Sequence, residues 1–272
     1  MKPYHSSKFV TAIVAVLLGV AAGLPAQTDT TMTVAAQKPF LRAVTNHAFV
    51  AGEYLEYNVH FGKLSAGKGA MSIPERRLHD GRPCFLLVSR LWTNDFFSGI
   101  YRVDDYMECL LDSAGLFPWR YERKLNEGKF KAYRKAVFDP VNARAFEGKD
   151  TLAVPPYSQD VLSIIYYVRT LDLAVGQKID VDNYIDKKNY PLRISVVKKE
   201  KIKVAAGNFE CYMLELGKRP GATFEKKGDM WIWVSSDSRR LPVKVRTKAP
   251  LGSVIMELSK TSFIKPRTAA NP

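Results

Sequence analysis

The stretch with the most chemical look is Gly62-Lys63-Leu64-Ser65-Ala66-Gly67-Lys68-Gly69, which has the G-x-x-x-x-G-K frame of a phosphate-binding loop. A working loop needs a Ser or Thr after the Lys to hold Mg²⁺, and a helix whose N-terminus faces the phosphates. Here that position is Gly69, and Ala70-Met71-Ser72-Ile73-Pro74 is strand-like and ends in Pro. The segment therefore reads as a Gly-rich hairpin. Asp112-Ser113-Ala114-Gly115 carries one residue too many for the D-[ST]-G triplet of an aspartic protease and reads as a turn. No G-x-S-x-G elbow occurs. Asp104 and Asp105 fall on opposite faces of a strand, so they cannot share acid–base work. His47, His60 and His79 lack zinc-site spacing, and the cysteines form no CxxC. No catalytic residue, metal or cofactor is expected, and the chain reads as non-enzymatic.

Binding chemistry is better represented. Arg120, Arg123, Lys124, Lys129, Lys131, Arg134 and Lys135 crowd one hairpin, opposed only by Glu122 and Glu127. Lys129, Lys131 and Lys135 share a face with Tyr133. Such a face suits phosphate or sulfate groups; it equally suits a solvated strand whose edge is guarded by Lys. Lys198, Lys199, Lys201 and Lys203 form a weaker cluster. The aromatics offer a second surface: Phe96, Phe97 and Tyr101 before one strand, Tyr166 and Tyr167 on a helix, and Trp231 and Trp233 on one face of another strand. A curved sheet lined by them would enclose an apolar ligand, and ordinary core packing explains them as well.

The elements that must position these residues begin after an export signal. Lys2 and Lys8 precede an apolar run from Phe9 to Leu24, and Leu24-Pro25-Ala26 offers a cleavage point. Residues 1–26 are expected to be a signal peptide, with an uncleaved anchor as the alternative, although the run is short for a span. Periplasmic export follows and sets aside most nucleotide-driven and nucleic-acid roles. The 272 residues carry a net charge of +14, which suits anionic envelope surfaces or a merely solvated basic surface. Cys84, Cys109 and Cys211 sit in apolar runs and read as buried thiols, although an oxidising compartment permits one pair.

Residues 27–48 read as a flexible arm, 49–264 as one β-rich domain and 265–272 as a tail. From Gly52 the apolar/polar alternation of Tyr54–Phe61 opens a succession of about eleven strands with short turns. One segment breaks the rhythm. Val161, Ile164, Ile165 and Val168 lie at helical spacing, predicting an amphipathic helix over 159–171 capped by Ser158. The expected fold is mainly β: a curved antiparallel meander, forming a half-open barrel or two-layer sheet, covered by one helix.

Several phrases fit together: Gly52-Glu53-Tyr54-Leu55-Glu56-Tyr57 with Ser65-Ala66-Gly67, Asp160-Val161-Leu162-Ser163 with Tyr166, Tyr167 and Arg169, and Gly207-Asn208-Phe209-Glu210-Cys211. Trp233-Val234-Ser235-Ser236-Asp237, Arg239-Arg240-Leu241-Pro242-Val243 and Gly252-Ser253 complete the set. In order and spacing they resemble the exported bacterial family catalogued as domain of unknown function 3108, over nearly all of residues 50–260. That family has no assigned activity, so the resemblance implies no catalytic residue. The W-V-x-x-D-x-x-R-L-P phrase is loosely similar to periplasmic lipoprotein carriers, which hold acyl chains in a half-open barrel under a helical lid. This is a fold-level analogy. The expectation is an envelope protein binding a lipid or lipoprotein acyl chain beneath helix 159–171, with basic residues 120–135 toward anionic headgroups. The alternative is a structural or protein-interaction module without a ligand. The sequence leaves the oligomeric state open.

Overall fold

A computed structural model describes residues 41–218, 230–249 and 252–264. The signal segment 1–26, residues 27–40 of the arm, the tail 265–272 and the basic loop at Arg219-Pro220-Gly221 lie outside the described residues. The chain first runs through β1 (Glu53–Phe61), β2 (Leu64–His79), β3 (Arg82–Thr93), helix α1 (Asp95–Tyr101), β4 (Asp104–Asp112), β5 (Pro118–Glu127), β6 (Phe130–Asp139), β7 (Arg144–Glu147) and β8 (Asp150–Ala153). Helix α2 (Ser163–Val168) follows, then β9 (Lys178–Ile185), β10 (Lys188–Val204), β11 (Gly207–Lys218), β12 (Met230–Ser235), β13 (Pro242–Ala249) and β14 (Gly252–Phe263).

All fourteen strands join one antiparallel sheet, in the order β8-β7-β6-β5-β4-β3-β2-β1-β14-β13-β12-β11-β10-β9. The meander leaves along β1–β8 and returns along β9–β14, with β14 closing on β1. The unclosed edges, β8 and β9, are bridged by side chains: Lys187 Nζ reaches Asp150 Oδ2 at 2.6 Å and Asn189 Nδ2 reaches the Ala153 carbonyl at 2.8 Å. Between them, the Gln159 N–H donates to Asp182 O and its carbonyl accepts from the Tyr184 N–H. The sheet is thus a barrel-like curl with a side-chain seam, as the mainly β reading expects.

Three expectations change. The helix is shorter than 159–171, and its start is held by Asp160: Oδ1 accepts from the Leu162 and Ser163 N–H groups, while the Asp160 N–H donates to Ser163 Oγ. That reciprocal pairing is a capping box. The Ser158 hydroxyl instead donates to the Pro155 carbonyl. Beyond Val168 the chain continues in tight i→i+3 turns, with Thr170 N–H donating to Tyr167 O and Leu171 N–H to Val168 O. Secondly, the end of the expected arm is docked. Ala48 is buried and Arg42 Nε donates to the Gly115 carbonyl at 2.7 Å. Thirdly, a second short helix, α1, precedes β4 where one helix in all was expected, capped by Asn94 Oδ1 on the Phe97 N–H.

The Gly62–Gly69 segment is a β1–β2 hairpin, with Phe61 opposite Leu64 and Tyr57 opposite Gly69. β2 runs through Pro74, where the β2–β3 register shifts between Ser72 and Glu75; a bulge is where a strand tolerates the missing N–H.

Candidate functional site

The barrel has two unlike halves. In the half that holds α2, Leu162, Ile164, Tyr166 and Val168 are buried in the core. Tyr166 meets Phe49 edge-on at 5.1 Å, and Phe49 meets Phe85 at 5.5 Å. Arg169, just past the helix, is 1% exposed. Its guanidinium binds Glu53 through Nη1–Oε1 (2.6 Å) and Nη2–Oε2 (2.7 Å), and donates to the carbonyls of Ala48 and Arg239. The helix therefore acts as a plug: its aromatic and cationic groups fill the space against the sheet, where the sequence suggested an acyl chain beneath a lid. A crevice beside Phe117, Pro140, Pro155 and Tyr157 encloses about 10 Å³, room for one water.

The other half is lined differently on its two sides. Val59, Leu91, Val103 and Val254, with Phe61, Tyr101 and Met256, make an apolar wall. Gly67 and Gly69 sit inward on β2, so that wall lacks side chains there. Strands β4–β7 and β9 add buried polar groups beside their apolar ones. Alternation with buried Tyr121 and Leu125 turns Arg123 inward, and the register sets Met107, Arg123 and Arg134 in one cross-strand row. Arg123 pairs with Asp186 across the seam. Arg134 approaches Glu147 at 3.9 Å, and Glu147 Oε2 accepts from the Tyr184 hydroxyl at 3.0 Å. Arg123 Nε, Glu147 Oε1 and Asn183 Oδ1 are among the buried side-chain atoms of the described residues that lack a hydrogen-bond partner, as are Gln159 Oε1 and the Tyr166 hydroxyl in the α2 half. Asp105 is buried nearby; burial pushes its carboxyl up, against hydrogen bonds from the Asn126 N–H and Glu127 that favour its charged form. Buried polar atoms without protein partners are costly unless water or another polar group meets them.

The seven aromatics proposed as one lining are dispersed. Tyr166 is core, and Tyr167 lies under the Arg42 guanidinium at 5.0 Å. Ile232 and Val234 join Ile164 and Val168 in one cluster, and the alternating Trp231 and Trp233 take the other face of β12, where Trp233 is buried in the core cluster that also holds Tyr166 and Trp231 packs against it. Trp233 is covered, with Nε1 donating to Glu200 at 2.8 Å; Trp231 lies beneath Arg246 and Lys248. Phe97 and Tyr101 turn inward on α1, and Phe96 is exposed. The basic hairpin also divides. Outside, Arg120 bridges Glu108 (2.7 Å) and Glu122 (3.2 Å), and Lys135 pairs with Glu122 at 3.3 Å. Lys124, Lys129 and Lys131 are exposed without an ion pair among the described residues, while Arg123 and Arg134 face in. Sequence reasoning missed the inward Arg123, although its neighbours Tyr121 and Leu125 marked the face.

All three cysteines are free and buried. Among the described residues no cluster of His, Cys, Asp and Glu is arranged to hold a metal, and no helix is long and apolar enough to cross a membrane.

The protein-family model for a protein of unknown function, DUF3108, matches residues 56–259, so the chain belongs to that family. No curated protein matches the chain. Among solved structures, a β-barrel-like protein of domain of unknown function DUF1849 from Brucella abortus is 11% identical, with a TM-score of 0.50, covering 83% of this chain and 100% of its own. A DUF1089 family protein from Pseudomonas aeruginosa is 12% identical with a TM-score of 0.38, covering 82% of this chain and 97% of its own. The first of these likenesses concerns fold alone; the second is too weak to carry an argument.

Proposed function

We propose that this DUF3108 member is a non-enzymatic protein of the bacterial envelope that binds an amphiphile in the half of the barrel opposite α2. The carrying observation is the two-sided interior there. An apolar wall around Val59, Leu91 and Val254 accompanies inward polar groups of which Arg123 Nε, Glu147 Oε1 and Asn183 Oδ1 are buried without hydrogen-bond partners. An apolar tail would cover the first wall and a polar headgroup would satisfy the second. Export to the periplasm rests on the basic-apolar-small pattern of residues 1–26.

The test is native mass spectrometry of protein recovered from an envelope fraction without detergent. A bound mass that denaturation releases as lipid supports the reading, and Arg123→Gln should lower its occupancy. A bare protein mass, with no uptake on titration with phospholipid, would move the reading to an interaction module.

A further inference from the structure

We infer that the α1 end of the barrel docks on an anionic phospholipid membrane. Three turns meet there. Asn94 ties α1 to the β1–β2 turn, through its N–H to Ala66 O (3.0 Å) and its Nδ2 to Ser65 O (2.8 Å). The Gly128 N–H, in the β5–β6 turn, donates to Arg102 O at 2.7 Å, and the Tyr101 hydroxyl reaches Glu127 O. Within α1 the i,i+4 pair Phe97 and Tyr101 turns inward, which leaves the i,i+4 pair Phe96 and Ile100 on the outside. These are 68% and 70% exposed, with Leu64 (59%) and Phe130 (44%) on the adjoining turns. Large apolar side chains gathered at one tip, on turns held by hydrogen bonds, mark a contact surface rather than scattered exposure.

The charge around them selects the occupant. Residues 62–64, 95–102 and 128–131 carry Lys63, Arg102, Lys129 and Lys131, all exposed, against the single exposed acid Asp95. Apolar tips ringed by long basic side chains suit the boundary of an anionic bilayer, with the rings and Leu side chain in the acyl region and the cations among the headgroups. The inference goes beyond interior ligand binding and stands whether or not the barrel holds a lipid.

The experiment is cosedimentation of the envelope-purified protein with phosphatidylcholine vesicles, with and without phosphatidylglycerol. Wild type should bind the anionic vesicles more tightly, and added salt should weaken binding. Phe96→Asp with Ile100→Asp should lower the affinity by about tenfold or more. Leu64→Asp, on a separate turn, should lower it independently, and Lys129→Glu with Lys131→Glu should abolish the phosphatidylglycerol preference. All these residues are exposed, and a wild-type circular dichroism spectrum confirms folding. Equal binding by wild type and the α1 double variant, no vesicle binding, or no preference for the anionic lipid would overturn the inference. None of these variants touches Arg123, so failure here leaves the interior reading standing.

Discussion

Arg169 and Glu53, separated by 116 residues in the chain, meet in two parallel hydrogen bonds of 2.6 and 2.7 Å with the guanidinium fully enclosed. The same group lies 5.1 Å from the Phe49 ring and 5.3 Å from Tyr166, and donates to the carbonyls of Ala48 and Arg239. One side chain thus joins the plug helix to β1, to the segment before it and to the β12–β13 turn. Removing one partner of such a pair leaves a buried charge, so Arg169→Met or Glu53→Ala should cost about 3–5 kcal/mol. Urea unfolding monitored by Trp fluorescence checks this. A midpoint like that of wild type in either variant would show that the apolar packing alone seats the helix.

That pair also shows where sequence reading stops. The alternation of Tyr54–Phe61, the turn at Asp112–Gly115 and the hairpin at Gly128 are local patterns, and they were legible. The helix was legible in place. Its end was not, because Val168-Arg169 breaks no local rule; the helix stops where Arg169 is drawn to a carboxylate on another strand. The trace of Arg123 lay in its apolar neighbours two residues away on either side. The trace of α1 was weaker, since seven residues with Gly99 among them carry little helical pattern.

The thiols should be silent in the native state. Burial pushes Cys84 and Cys211 up to about 12, and Cys109 well above its ordinary range. The thiolate is the reactive form, so all three should resist a disulfide-exchange reagent near neutral pH and react together once urea unfolds the chain. Rapid reaction of any one thiol in buffer would contradict the burial.

The two inward glycines of β2 should respond differently to a methyl group. At Gly67 an added Cβ would overlap the Trp92 carbonyl, which belongs to the neighbouring strand and cannot move without the ladder. At Gly69 it meets the terminal methyl of Met256 at 2.9 Å, the far end of a flexible side chain. Gly67→Ala should therefore destabilise by about 1–3 kcal/mol, as overpacking does, and Gly69→Ala by less. Thermal unfolding of the two variants decides; equal losses would mean that Met256 is not free to shift.

Asp160 makes stability depend on pH in an unusual direction. Burial raises its pKa, although the Ser163 and Leu162 N–H groups and the Cys109 thiol favour the charged form. A carboxyl whose folded pKa lies above its unfolded value holds its proton more tightly when folded. Its contribution is full below the unfolded pKa and is lost as pH rises through the folded one. Asp160→Asn keeps an oxygen to accept from Leu162 and Ser163 and removes the buried charge. It should erase that part of the loss as pH rises above the ordinary carboxylate range. Asp160→Ala should lack the cap at every pH, costing about 1 kcal/mol more. Urea midpoints across a pH series separate the two. If the Asn variant loses stability with rising pH as steeply as wild type, the proton is held elsewhere. Asp105 is another carboxyl whose pKa is raised by burial, and Asp105→Asn would then flatten the curve.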